Sequence, residues 1–231
     1  MPDGFELLYE DGPCLAVAKP GGLLTQAPPG IDSLEVRVRQ FLHQREEPEG
    51  KIYLGLPHRL DRPASGVLIM ARNVRATRKI CDQFLDRTVD KRYWALVEGH
   101  VEPAHGTWRD TIRKIPDVAG AEIVAPDSPG GKSAVLHYRV LFNHENSSLL
   151  EIRLETGRTH QIRVQTASRG HAIWGDEQYG SERLFGPQTT EPRDRWIALH
   201  ARSIAWQHPK SRSRVSVEAR PGVHWQKLGI T

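Results

Sequence analysis

The run Pro57-His58-Arg59-Leu60-Asp61-Arg62-Pro63-Ala64-Ser65-Gly66 sets one carboxylate among three basic side chains, just ahead of the apolar stretch Val67–Ala71. Pro63 keeps Arg62 out of helical geometry and Ser65-Gly66 supplies a turn, so Asp61 is expected on a rigid loop at a strand edge. Flanked by Arg59 and Arg62, such a carboxylate stays ionised even when partly dry, the state in which it can attack carbon or take up a proton. Taken alone, an Asp-Arg-Pro more often marks a surface ion-pair cluster at a turn.

A second stretch, Glu155 to Gln165, turns at Gly157 and enters a helix that Thr159 is expected to cap. His160 and Arg163, three apart, would share one helical face, and Arg163 could serve a carboxylate from another loop as a fixed cation. The bland alternative is a solvated polar face. In a third stretch, Lys91 to Val97, alternation puts Tyr93, Ala95 and Val97 on one side of a strand and Trp94 with Leu96 on the other. A tyrosine in that company is usually packing; it matters for chemistry only beside a pocket for a planar base.

Positioning these groups requires several elements. Leu7–Glu10 and Leu15–Lys19 read as strands around an Asp11-Gly12-Pro13 turn, and Ser33 as the cap of a helix running to His43. Val67–Ala71 reads as a buried strand, and Asn73 as the cap of a second helix with Thr77, Ile80, Cys81, Phe84 and Leu85 on its apolar face. Arg72, Arg75, Arg78 and Lys79 then fall on the wet side. Arg92–Glu98, Ala134–Leu141, Leu149–Leu154 and Val215–Ala219 look extended, whereas Pro116–Gly131 and Ser181–Arg195 look like surface loops. Neither loop is a convincing interdomain linker and no internal repeat occurs. The order predicts an α+β domain around a mainly antiparallel sheet.

The chain has 231 residues and a formal charge of +4; of its 32 cations eight are lysine, which leaves 24 arginines. Arginine forks onto phosphate and stacks on bases, although a host genome rich in arginine codons gives the same count. No segment has the apolar length of a membrane span, and the start has no basic stretch followed by an apolar run, so neither a membrane partner nor secretion is expected. Two distant cysteines, Cys14 and Cys81, suit a reducing, cytoplasmic setting. The histidines lack metal-ligand spacing, so no metal is expected. Gly130-Gly131-Lys132-Ser133 looks like the end of a P-loop, but Pro126 stands where its first glycine must be.

Together these stretches resemble the RluA-type family of RNA pseudouridine synthases. His58-Arg59-Leu60-Asp61 with Ser65-Gly66 is similar to the family signature. The resemblance continues through Lys91-Arg92-Tyr93, Gly157 to Arg163, Gly175-Asp176 with Tyr179-Gly180, and Leu199-His200-Ala201 ahead of His208-Pro209. Val17 to Leu23 matches the usual opening strand and loop. Departures are Ala64 where threonine is usual, Gln165 where histidine is common, and Trp174 where a smaller apolar residue is typical. The chain begins directly with the catalytic part, so residues 1–231 are expected to form one catalytic domain without the S4 module of many relatives.

The resemblance implies a mixed, mostly antiparallel, bisected sheet flanked by helices, with an RNA-binding cleft. It implies isomerisation of uridine in ribosomal or transfer RNA to pseudouridine without any cofactor, by a monomer. The base leaves its stack, at a cost of about a few kcal/mol, and its bond to ribose is cut and remade through carbon. By the same resemblance Asp61 starts the reaction, attacking sugar or ring or removing a ribose proton. Tyr93 stacks on the uracil and assists late proton removal, and Arg163 keeps Asp61 ionised. Arg59 helps displace the flipped nucleotide; His58, Arg62, Arg158 and His160 support RNA or neighbouring loops. Two rival readings are a catalytically silent RNA-binding protein on this scaffold and a carboxylate hydrolase. The hydrolase needs a second carboxylate, and Asp176, in a structural-looking Gly-Asp setting, is the only obvious candidate.

Overall fold

The structure, a computed structural model, describes residues 4–47 and 49–231. In chain order the elements are β1 (Glu6–Asp11), β2 (Cys14–Lys19), α1 (Leu34–Glu46), β3 (Ser65–Ala71), α2 (Val74–Leu85), β4 (Asp90–Glu98), β5 (His105–Lys114), β6 (Ala121–Val124), β7 (Lys132–His144), β8 (Ser147–Leu154), α3 (Gln161–Ala167), β9 (Leu199–Gln207), β10 (Arg214–Glu218) and α4 (Val223–Gln226). They group into two compact units, one of residues up to 91 with 189–195 and 200–231, the other of 92–188 with 196–199.

In the first unit β1, β2 and β3 pair antiparallel, β3 pairs parallel with β9, and β10 returns antiparallel on β9. The parallel contact is short, Ser65 opposite His200 and Gly66 opposite Ala201. Gly66 has φ +120, and a Cβ there would stand 2.4 Å from the Ala201 nitrogen and carbonyl oxygen, so only glycine lets the two backbones meet. Leu15, Leu68, Ile69 and Met70 fill the core with Leu34 and Leu42 of α1, Ile80 of α2, Trp206 and Trp225. Burying each leucine or isoleucine contributes about 1.5–3 kcal/mol.

Both long helices start where their caps predict: the Ser33 hydroxyl accepts from the Val36 amide, and the Asn73 side chain from that of Ala76. Leu85, expected on the apolar face of α2, is 79% exposed; it is the last residue of the helix, directly before the Asp86 cap.

The second unit is an antiparallel sheet in the order β4-β8-β7-β5-β6. β6 corrects the reading of 116–131 as loop throughout: four residues between Gly120 and Pro126 pair with β5, and Ala121 lies buried with Ile112, Ala134 and Val164. Ser181–Arg195 is irregular apart from a single 3-10 turn at Pro192–Asp194, as a polar segment with two prolines should be. Together the elements make an α+β protein whose mixed pairing is mostly antiparallel and flanked by few helices.

Candidate active site

The loop carrying Asp61 is held almost residue by residue. The Thr25 hydroxyl donates to the Leu60 carbonyl at 2.8 Å and accepts the Leu60 amide at 3.2 Å, so both backbone groups of the preceding residue are fixed by one side chain. On the other side the Lys19 ammonium donates to the carbonyls of Leu23 (2.7 Å), Pro20 (2.8 Å) and Arg62 (3.1 Å). The Ala64 amide closes a turn back to the Asp61 carbonyl at 3.1 Å. At the start of β3, Ser65 Oγ lies 2.9 Å from His200 Nδ1, and His200 Nε2 reaches the Ala219 carbonyl.

Lys19 is 1% exposed, and burial pushes its ammonium down to about 7, against the upward pull of Asp61. Three carbonyl acceptors nonetheless suit only the protonated form, which has three N–H donors. A lysine ending an otherwise apolar strand ahead of Pro20 was the available sequence signal for this role, and Thr25 offered none.

The flanking basic residues correct the expectation of a carboxylate between two guanidiniums. Arg62 Nε donates to the Gly22 carbonyl at 2.9 Å, and its terminal nitrogen lies 3.3 Å from Asp194, so it ties loops together. Arg59 is exposed and, among the described residues, pairs with no carboxylate. Neither therefore forms an ion pair with Asp61. His58 turns inward: its Nε2 accepts the Ile69 amide at 2.9 Å and its ring packs on Phe84, 4.7 Å between centroids. Burial, with Lys91 nearby, pushes its imidazole down to about 3, so it is neutral and braces the loop.

In the second unit Arg163 is the centre. Its Nε and terminal nitrogen bind both Asp176 oxygens at 2.7 Å, with the two side chains 4% and 1% exposed. The same nitrogen reaches Gln178 Oε1 at 2.9 Å, the guanidinium lies 4.9 Å over the Tyr179 ring, and the other terminal nitrogen is 3.2 Å from the His160 ring. His160 and Arg163 thus meet as their spacing predicts. His160 also stands 2.9 Å from the Tyr179 hydroxyl, and that hydroxyl accepts the Ala121 amide. Periodicity could not reveal the Asp176 pairing, which joins a helix to a turn thirteen residues on.

Thr159 does not cap α3. His160, at φ +50, leads into the helix, because Gln161 organises the turn: its Oε1 accepts from the Arg158 amide and the Thr156 hydroxyl. Arg158 Nε donates to the Ser133 carbonyl at 2.9 Å. Tyr93 lies buried on β4 opposite Ile152, on the same side as Ala95 and Val97. Of the departures noted above, Gln165 is fully buried and donates to Asp110 at 2.6 Å, and Ala64 is buried next to the Asp61 turn.

A family model described as RNA pseudouridylate synthase matches residues 13–168. The chain is 35% identical over 225 residues to a protein of Mycobacterium bovis called an uncharacterized RNA pseudouridine synthase, covering 93% of this chain and 68% of that one. It is 33% identical over 218 residues to the ribosomal large subunit pseudouridine synthase D of Zymomonas mobilis, with the same coverage. In fold it is similar to the human RNA pseudouridylate synthase domain containing 4, with TM-score 0.77 and 21% identity over 97% of this chain and 93% of that one.

Proposed function

Since the chain belongs to the RNA pseudouridylate synthase family, we propose that it isomerises specific uridines of ribosomal RNA, with Asp61 as the catalytic carboxylate. The activity class, an isomerase that makes pseudouridine in RNA, follows from membership. Ribosomal rather than transfer RNA is favoured by relatives named for the large ribosomal subunit. The observation that carries the assignment of Asp61 is its mounting: Thr25 on one side and Lys19 on the other fix the backbone around a single carboxylate. A group that must meet a flipped nucleotide benefits from such preorganisation, since misplacement by about 1 Å can cost roughly 100-fold in rate.

The reaction breaks the bond from uracil N1 to the sugar, forms one from C5 to the same sugar carbon, releases the C5 proton to solvent and places a proton on N1, so it is balanced without redox or energy input. Arg59, exposed and uncommitted to any carboxylate, suits displacement of the target nucleotide. Tyr93 is assigned to the uracil face and Arg163 to support of the catalytic carboxylate, both by their match to the family. His58 and Arg62 are assigned to bracing the loop, and Arg158 and His160 to RNA or its neighbouring loops. Both units are taken as one catalytic domain acting as a cytoplasmic monomer. No helix among the described residues is long and apolar enough to cross a membrane.

The test is tritium release from ribosomal RNA labelled at uridine C5. Release by the purified protein, with pseudouridine at defined positions, is expected; binding without release would favour the silent scaffold, and free uracil a hydrolase. Arg59→Ala is expected to lose more single-turnover rate than affinity. A pure affinity loss would reassign Arg59 to backbone contact.

A further inference from the structure

At the far end of β3 from the Asp61 loop the first unit holds a hollow of about 580 Å³. Four cations line it, Arg72, Arg75, Lys79 and Lys210, and no acidic residue does. Its lining comes from three segments whose relative placement is fixed, and two of them carry the cations. The Arg72 amide donates to the Pro13 carbonyl at 2.9 Å, and the Lys79 ammonium to the Pro209 carbonyl at 2.8 Å. His208 Nδ1 accepts the amides of both Lys210 and Ser211, which pins the turn that carries Lys210.

Three carboxylates of the same unit are already engaged, and Asp82, three residues beyond Lys79, does not line the hollow. Glu10 and Glu46 both bind Arg45 and Arg72, and Asp11 faces His208 at 3.7 Å. Arg75 and Lys210 are exposed and have no side-chain partner among the described residues. The Asn73 side chain already takes up an amide of the first turn of α2, so an anion here meets the side-chain cations rather than the helix end. Arg72 is already balanced by Glu10 and Glu46, so Arg75, Lys79 and Lys210 are the cations left to repel one another unless a polyanion joins them, and the fixed backbone that carries them lowers the ordering cost of binding one.

We propose that this hollow binds consecutive phosphodiester groups of the RNA substrate, as an anchor separate from the Asp61 loop. This rests on the reading of the protein as an RNA-modifying enzyme. β3 runs seven residues from Ser65 to Ala71, and at about 3.3 Å per residue that is roughly 20 Å. A stacked strand advancing about 3.4 Å per nucleotide crosses it in roughly six nucleotides. RNA held here therefore flanks the modified uridine rather than surrounding it, and sequence-independent contacts set how firmly a long substrate is gripped.

The experiment measures binding of a fluorescein-labelled single-stranded RNA of about 24 nucleotides across a salt series, with the full chain. Arg75→Ala/Lys210→Ala is compared with Arg220→Ala/Lys227→Ala, which removes the same charge from exposed positions outside the hollow. The first pair is expected to weaken binding roughly tenfold and to flatten the logarithmic salt slope by about 1.4, while the second changes little. Equal losses in both pairs, or none in the first, overturn the proposal. So does a first pair that keeps RNA affinity but loses calorimetric binding of inorganic pyrophosphate, which would make the hollow a free-anion site. Tritium release by the unaltered protein is scored separately. Its absence alongside the expected binding loss would sink the isomerase reading and leave the anchor standing.

Discussion

The Asp61 loop and the Arg163 cluster solve the same problem in opposite ways. Asp61 is positioned through the backbone of its neighbours, by Thr25 on Leu60, Lys19 on Arg62 and His58 on Ile69. Arg163 is positioned through its own charged head, gripped by Asp176 and Gln178 and covered by Tyr179. A reacting carboxylate needs its oxygens directed at substrate, so the loop bears the constraint. A supporting guanidinium has five donors and can give several to its own mounting. The first design places a side chain through backbone hydrogen bonds around it; the second places one through its own charge.

The largest expected effect breaks the first design at its centre. Asp61→Asn should reduce tritium release by at least about a thousandfold while RNA affinity stays within a few-fold, since arginine contacts to phosphate dominate binding. Near-normal release would remove Asp61 from the mechanism. Next comes the second design: Asp176→Ala removes the carboxylate that grips both Nε and a terminal nitrogen of the buried Arg163 and should cost about 3–5 kcal/mol in denaturant unfolding. The double change Arg163→Met/Asp176→Leu should cost less than Asp176→Ala alone, because both members of the buried pair are replaced by apolar side chains. If the double variant is the less stable of the two, the pair is not the determinant of that region.

Thr25→Val removes both partners of the Leu60 backbone and should destabilise by about 1–3 kcal/mol. Single-turnover rate should fall roughly tenfold with it, and Thr25→Ser should restore both. A stability loss with intact rate would show that the clamp does not place Asp61.

How much of this was legible in advance follows from the range of each interaction. The caps at Ser33 and Asn73, the apolar run of β3 and the His160–Arg163 spacing are local, and each could be read from a few neighbouring residues. β6 was hidden because four residues among prolines and glycines carry no periodicity, and it is strand only by pairing with β5. Arg59 and Arg62 looked like partners of Asp61 because adjacency in sequence suggests adjacency of charge. The backbone instead turns the Arg62 guanidinium to Gly22 and Asp194. The inward turn of His58 was equally invisible, as its partner is a backbone amide eleven residues away.

The smallest effect concerns that histidine. Burial holds the folded His58 near 3 and the folded His200 near 4, whereas an unperturbed histidine titrates at 6.5. Between those values the unfolded chain carries protons that the folded one lacks, so stability falls as pH drops below 6.5, by up to about 1.4 kcal/mol per pH unit for each histidine. His58→Gln, whose carbonyl can still accept the Ile69 amide, should remove one proton from that slope and leave the His200 share. Urea unfolding from pH 6.5 to 4.5 reads it directly; an unchanged slope would mean that His58 does not stay neutral in the fold.

The parallel contact at Gly66 also dictates when the protein can become an enzyme. Ser65 and His200 are 135 positions apart, and Gly66 meets Ala201 across the same gap. The downstream mooring of the Asp61 loop is thus completed by a strand that lies 135 positions further along the chain. Contacts of such long sequence separation form late, after the intervening chain has been closed into a loop. A growing chain therefore carries the signature residues long before it carries the strand that moors the loop holding them.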